Sequence, residues 1–172
     1  MMLPGAAWAA TLDRVVAVVE TELVMDSEVR LETELARIDR SPIPFWDADR
    51  ATPQERLVQG AILRVAAERV ALYQPSDEDV QARRERMRAT FSNRQTWTTF
   101  LTQHGLEETS LGETLRRRMV VERYLGRNLQ APLDQPVPWQ VACDQMVDQL
   151  RERIRVRIID AEEGVEGMGL SL

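Results

Sequence analysis

Two short apolar alternations at opposite ends of the chain constrain its fold more than anything between them. Near the start, Asp13 to Val29 reads DRVVAVVETELVMDSEV. Arg14 to Val19 is a β-branched apolar run, Glu20 to Glu22 are polar enough to turn, and Leu23 to Met25 resumes the apolar character. This pattern predicts a strand, a tight turn and a second short strand. A two-stranded hairpin is marginal alone in water, so it needs another strand or a packed helix. The only other convincing strand pattern lies at the far end, where Ile154, Val156 and Ile158 alternate with Arg155 and Arg157. The two ends are therefore expected to meet in one small sheet, with helices between them. The expected fold class is mainly α.

Helix signals fill the interval in order. Asp26 and Ser27 offer side-chain oxygens to the free amides of a helix running to about Ile38, with Val29, Leu31 and Leu35 as apolar contacts. SPIPFWDADRA follows, a long loop carrying Ile43, Phe45 and Trp46; these three either tuck back over the core or form a mobile apolar lip for a ligand. Thr52-Pro53-Gln54-Glu55 is a helix start with a capping box, and that helix is expected to reach Tyr73, with Val58, Ile62, Val65 and Leu72 on one face. Ser76 to Asp79 supplies a second box.

The next helix, Asp77 to Phe91, has a thin apolar stripe of Val80, Met87 and Phe91 in a solvated setting of Arg83, Arg84, Glu85, Arg86 and Arg88. From Arg94 to His104, Trp97, Phe100, Leu101 and His104 share a face, and Gly105 ends the helix. The stretch after Gly105 presents Leu111, Leu115, Met119, Val121, Leu125 and Leu129 as a broad apolar face. Arg118 and Glu122 project into it as an expected pair at the core's edge. After the proline-rich Ala131 to Pro138, a last helix from Trp139 to Arg153 stripes Trp139, Ala142, Cys143, Met146 and Leu150.

Several function classes fall away. The net charge is −6 and every basic residue is arginine, a balance that argues against a general nucleic-acid binder. No apolar run approaches the roughly 20 residues that span a bilayer. One cysteine excludes an internal disulfide framework, and the lone histidine, His104, excludes a histidine cluster or triad. With no carboxylate pair evident on a common apolar face, no catalytic constellation, metal or cofactor is expected. Residues 1–10 read as the end of a signal peptide whose start lies upstream, with a disordered lead as the alternative. Residues 11–160 form one domain, closed by the helix and strand of 138–160, and 161–172 form a flexible acidic tail.

In this order the pieces resemble the N-terminal chaperone module of the periplasmic SurA family, relatives of parvulin-type peptidyl-prolyl isomerases. The resemblance rests on LDRVVAVVETELVMDSEV, the helix from Glu55, the PSDEDV segment at Pro75 to Val80, the Gly105-Leu106 corner, the long Leu- and Arg-rich helix, and the closing helix and strand. The family carries one or two parvulin domains between the long and closing helices, and here only Gln130 to Pro138 fills that interval. The resemblance thus implies an ATP-independent periplasmic chaperone, or holdase, without isomerase activity. Its expected partners are unfolded outer-membrane or secreted polypeptides. An apolar groove lined by Ile43, Phe45, Trp46, Met87, Phe91, Trp97 and Phe100 is the candidate binding site, chosen from side-chain chemistry. The alternative is an interaction module that holds one folded partner or dimerises.

Overall fold

The computed structural model describes residues 13–68 and 70–159; the expected lead at 1–10 and acidic tail at 161–172 lie outside the described residues. Strands β1 (Val15–Val19) and β2 (Glu22–Met25) form the expected hairpin through a Glu20-Thr21 turn. Glu20 takes φ +53°, the left-handed conformation such a turn demands of a non-glycine residue. Its carboxylate accepts the Arg155 backbone N–H at 2.8 Å, tying the turn to the far end of the chain. There β3 (Val156–Ile158) pairs antiparallel with β1, with Val19 opposite Val156 and Ala17 opposite Ile158. The sheet order is β2-β1-β3, so the chain's two ends do meet in one small sheet. A register shift between Val15 and Ala17 interrupts the alternation, and Val16 and Ala17 are both buried beside it.

Helix α1 (Asp26–Ile38) follows β2 without a break. Neither Asp26 nor Ser27 caps it, because sheet pairing runs up to this point and commits the Asp26 N–H to the Arg14 carbonyl. Glu28 accepts the Met25 N–H instead, and Asp13 reaches across to the Ser27 backbone N–H and hydroxyl. A 3-10 turn, Pro44–Trp46, precedes α2 (Pro53–Ala67). Thr52 caps α2 by accepting the Glu55 N–H, but Glu55 turns to Gln59 rather than completing the box. The helix stops at Ala67, short of Tyr73; a second 3-10 turn, Ala71–Tyr73, takes over and leaves Leu72 exposed.

Helix α3 (Asp77–Arg88) starts from the full Ser76–Asp79 box. It ends before Phe91 and is followed by α4 (Arg94–Gln103). Gly105, at φ +61°, ends α4 in the left-handed conformation while Leu106 N–H bonds back to the Leu101 carbonyl at 2.8 Å. His104 sits at that C-cap with its ring 5.0 Å from the Phe100 ring, a structural place. The long α5 (Glu108–Asn128) leads to α6 (Pro136–Arg151), which begins inside the proline-rich segment because proline fits a first helical turn.

Two apolar clusters result among the described residues. One lies under the sheet and gathers Val16, Val19 and Val24 with Ile43, Phe45 and Trp46, α2, the end of α5, and Trp139, Cys143 and Val147 of α6. The other joins Leu31 and Leu35 of α1 with Val80 and Met87 of α3, Trp97, Phe100 and Leu101 of α4, and Leu111 and Leu115 of α5.

Candidate functional site

The seven residues expected to line a groove are divided between these clusters and turned inward. Ile43, Phe45 and Trp46 are buried under the sheet, Phe45 and Trp46 edge to face with ring centres 4.7 Å apart. Met87, Trp97 and Phe100 are buried in the second cluster, and half-buried Phe91 packs on it, 5.2 Å from the Trp97 ring. As they stand, these seven side chains build two cores and do not line a common open surface. The reason is physical. Large apolar side chains recover the most free energy when fully removed from water, and the Ile43–Trp46 loop is short enough to fold back over α2. Gly60 permits that closeness: a Cβ there would stand 2.8 Å from the Trp46 ring.

Arg50 fastens the same loop. Its guanidinium lies 4.5 Å over the Phe45 ring and donates to Gln59 of α2 and Asp144 of α6. It also donates to the Cys143 sulfur at 3.6 Å, yet burial dominates there and pushes the thiol up to about 11. Cys143 is thus a buried, unreactive packing residue.

Six charged side chains are buried together: Glu32 and Asp39 of α1 and its end, Arg56 of α2, Arg83 of α3, and Arg118 and Glu122 of α5. Arg56 and Arg118 both bind Glu32, Arg118 also binds Asp39 at 2.8 Å, and Arg83 bridges Asp39 and Glu122. Three expectations change. Arg118 and Glu122 do not pair with each other. Arg83 leaves the solvated face of α3. A carboxylate pair, Glu32 of α1 and Asp39 just after it, does come together, but arginines saturate it. Burial pushes the Glu32 carboxyl above its ordinary range against the pull of Arg118 and Arg56. For Arg83, burial opposes the charge, but bonds to Glu122 and Asp39 outweigh it and raise the group above its usual value. Equal numbers of each sign and close pairing make this a structural network joining four helices rather than a reactive centre.

An open cleft lies elsewhere. A cleft of about 280 Å³ runs between the hairpin turn, α2 and α5, with Thr21, Glu22, Arg64, Val65, Glu68, Gln74, Arg116, Arg117 and Val120 on its walls. Arg64 and Arg117 also wall a smaller cavity of about 30 Å³, where Leu31, Leu35, Leu57 and Trp46 meet Arg118. Arg64 pairs with Glu22, Arg117 with Glu28 at 2.8 Å, and Arg116 with Asp77. Arg116 to Arg118, consecutive on α5, point to three different places. The cleft could not be read in advance because it depends on how the hairpin turn sits across α2 and α5. The one available signal was the basic run on α5. No protein-family model and no curated protein matches this chain.

Proposed function

We propose that the chain is an ATP-independent periplasmic holdase that shelters unfolded outer-membrane or secreted polypeptides in the cleft between the hairpin, α2 and α5. The observation that carries this reading is the topology: the C-terminal strand closes the N-terminal hairpin as β2-β1-β3, the arrangement implied by the resemblance to the SurA chaperone module. Only Leu129 to Gln135 separates α5 from α6, against the roughly 100 residues that a parvulin domain would need. The reading therefore includes no isomerase activity. The cleft supports it chemically, since Val65 and Val120 offer apolar contact while Gln74, Thr21 and three arginines can meet main-chain polar groups of any extended chain. Among the described residues no helix is long and apolar enough to cross a membrane.

A labelled outer-membrane β-barrel protein, diluted from urea and titrated with the chain, tests the proposal by fluorescence anisotropy. Saturable binding to this client, and none to a folded control protein, is the expected result. No binding at roughly tens of micromolar would overturn it. One observation favours a second reading, an interaction module for one folded partner or a second copy. Val137 and Val141, one turn apart on α6, are exposed together with Leu133 just before it. A stable dimer on a sizing column that binds no unfolded client would establish that reading instead.

A further inference from the structure

Helix α6 carries an exposed stripe that the fold does not use. Val137 is 73% exposed and Val141 51%, and Leu133, just before the helix, is 54% exposed. Asp144 and Asp148 continue the line: the spacing i, i+4, i+7 and i+11 puts two valines and two aspartates within about 60° of one helix face. Trp139, Cys143 and Val147 turn away from it, into the core. Helix propensity does not account for the valines, since β-branched side chains are poor choices for an exposed helical position.

Charge narrows the partner. Two adjoining troughs lie between α6 and the segment that leads into α2, sharing Arg50 and Gln140. The larger, about 360 Å³, carries Glu55, Asp144 and Asp148, and the smaller, about 130 Å³, carries Asp47 and Asp49. Arg50 is buried and engaged by Gln59 and Asp144, which leaves Arg151 as the other cation on these walls. Burial, then repulsion from Asp49, pushes the Asp47 carboxyl above its ordinary range against the pull of Arg56. An anionic bilayer surface would be repelled here. A second copy packed on the stripe by two-fold symmetry would bring the same acidic walls together.

We infer that the α6 stripe docks a cationic amphipathic helix of another protein, with its apolar side chains on Val137 and Val141 and its lysines or arginines on Asp148 and the acidic walls beside it. Apolar anchors one turn apart seat a helix on its partner, and the flanking charge selects the partner's sign. The surface shares no wall residue with the client cleft, and the inference does not rest on the holdase reading. Its test titrates the full chain into a fluorescein-labelled helical peptide with leucines on one face and lysines beside them, read by anisotropy. The controls are the same peptide with glutamates for lysines and a scrambled lysine peptide. The amphipathic lysine peptide should bind about tenfold more tightly than either control, and its NMR amide shifts should fall on α6 and Asp47 to Ala51. Val137→Ser with Val141→Ser should weaken it about tenfold and Asp148→Asn several-fold, with the thermal midpoint unmoved because these side chains are exposed. Equal affinity for the glutamate peptide overturns the assigned charge, and equal affinity for the scrambled one overturns the helix. Binding that survives the paired valine substitution, or shifts confined to the cleft between the hairpin, α2 and α5, overturns the site. A dimer that the valine substitutions dissolve overturns the assignment to another protein. A chain saturated with the peptide should still capture an unfolded outer-membrane client. Displacement of the client overturns the separate site, whereas no client binding with or without the peptide sinks the holdase reading alone.

Discussion

The cluster under the sheet draws Val16, Val19 and Val24 from one end of the chain and Trp139, Cys143 and Val147 from the other. The second cluster takes most of its members from one stretch, Val80 to Leu115, and adds only Leu31 and Leu35 from α1. The first therefore exists only when the chain's ends have met, whereas the second can assemble from contacts that are closer in sequence. The buried ion network joins them: Arg118 packs over Trp46 of the first cluster while its partners Glu32 and Asp39 sit on and just after α1, beside Leu31 and Leu35 of the second. Neither cluster is free to serve as a binding surface, and the proposed holdase reading therefore assigns client binding to the cleft outside them.

Substitutions at the junction should have the largest effects. Trp46→Ala removes a fully buried ring and the platform under Arg118, and should cost about 3–5 kcal/mol in urea unfolding. A cost below about 1 kcal/mol would make the Ile43–Trp46 loop a movable lip after all. Arg118→Met leaves Glu32 and Asp39 short of their shared partner and should cost about 3 kcal/mol, with both clusters losing hydrogen-exchange protection together. Protection lost in only one cluster would break the claim that the network couples them.

Gly60→Ala is next. Helix propensity alone would make it favourable by up to about 1 kcal/mol. The new Cβ would instead meet the Trp46 ring at 2.8 Å, so a net loss of about 1–3 kcal/mol is expected under the sheet. Just past the end of α4, Gly105→Ala meets no steric neighbour and should cost about 1 kcal/mol from the left-handed backbone alone.

The smallest expected effect is a pH dependence at α3. The Ser76 hydroxyl and backbone N–H, with Arg123, lower the Asp79 carboxyl to about 2. Its folded value lies below its unfolded one near 3.8, so its stabilisation is complete above that value and disappears as pH falls toward about 2. Asp79→Asn should remove this part of the acid slope, measurable as a smaller change in thermal midpoint between these pH values.

Much of the fold could be read in advance because its signals are local. The alternation at Ile154 to Ile158, the Ser76–Asp79 box and Gly105 each state a backbone requirement within a few residues. Expectations failed where distant groups decide. Asp26 looks like a cap until the strand claims its N–H, and Arg83 looks solvated until Asp39 and Glu122 are brought to it. The seven candidate binding residues were chosen because aromatic and methionine side chains suit adaptable surfaces, but the same chemistry suits a core, and burial favours the core. Helical periodicity could not reveal the cleft, whose walls come from the hairpin turn, α2 and α5.

The most direct test places a photo-activatable cross-linking side chain at Val65 in the cleft, or at Val137 on α6, in the presence of an unfolded outer-membrane client. The account predicts client adducts from Val65 and none from Val137. Adducts from Val137 with none from Val65 would move binding to the α6 stripe and contradict the account.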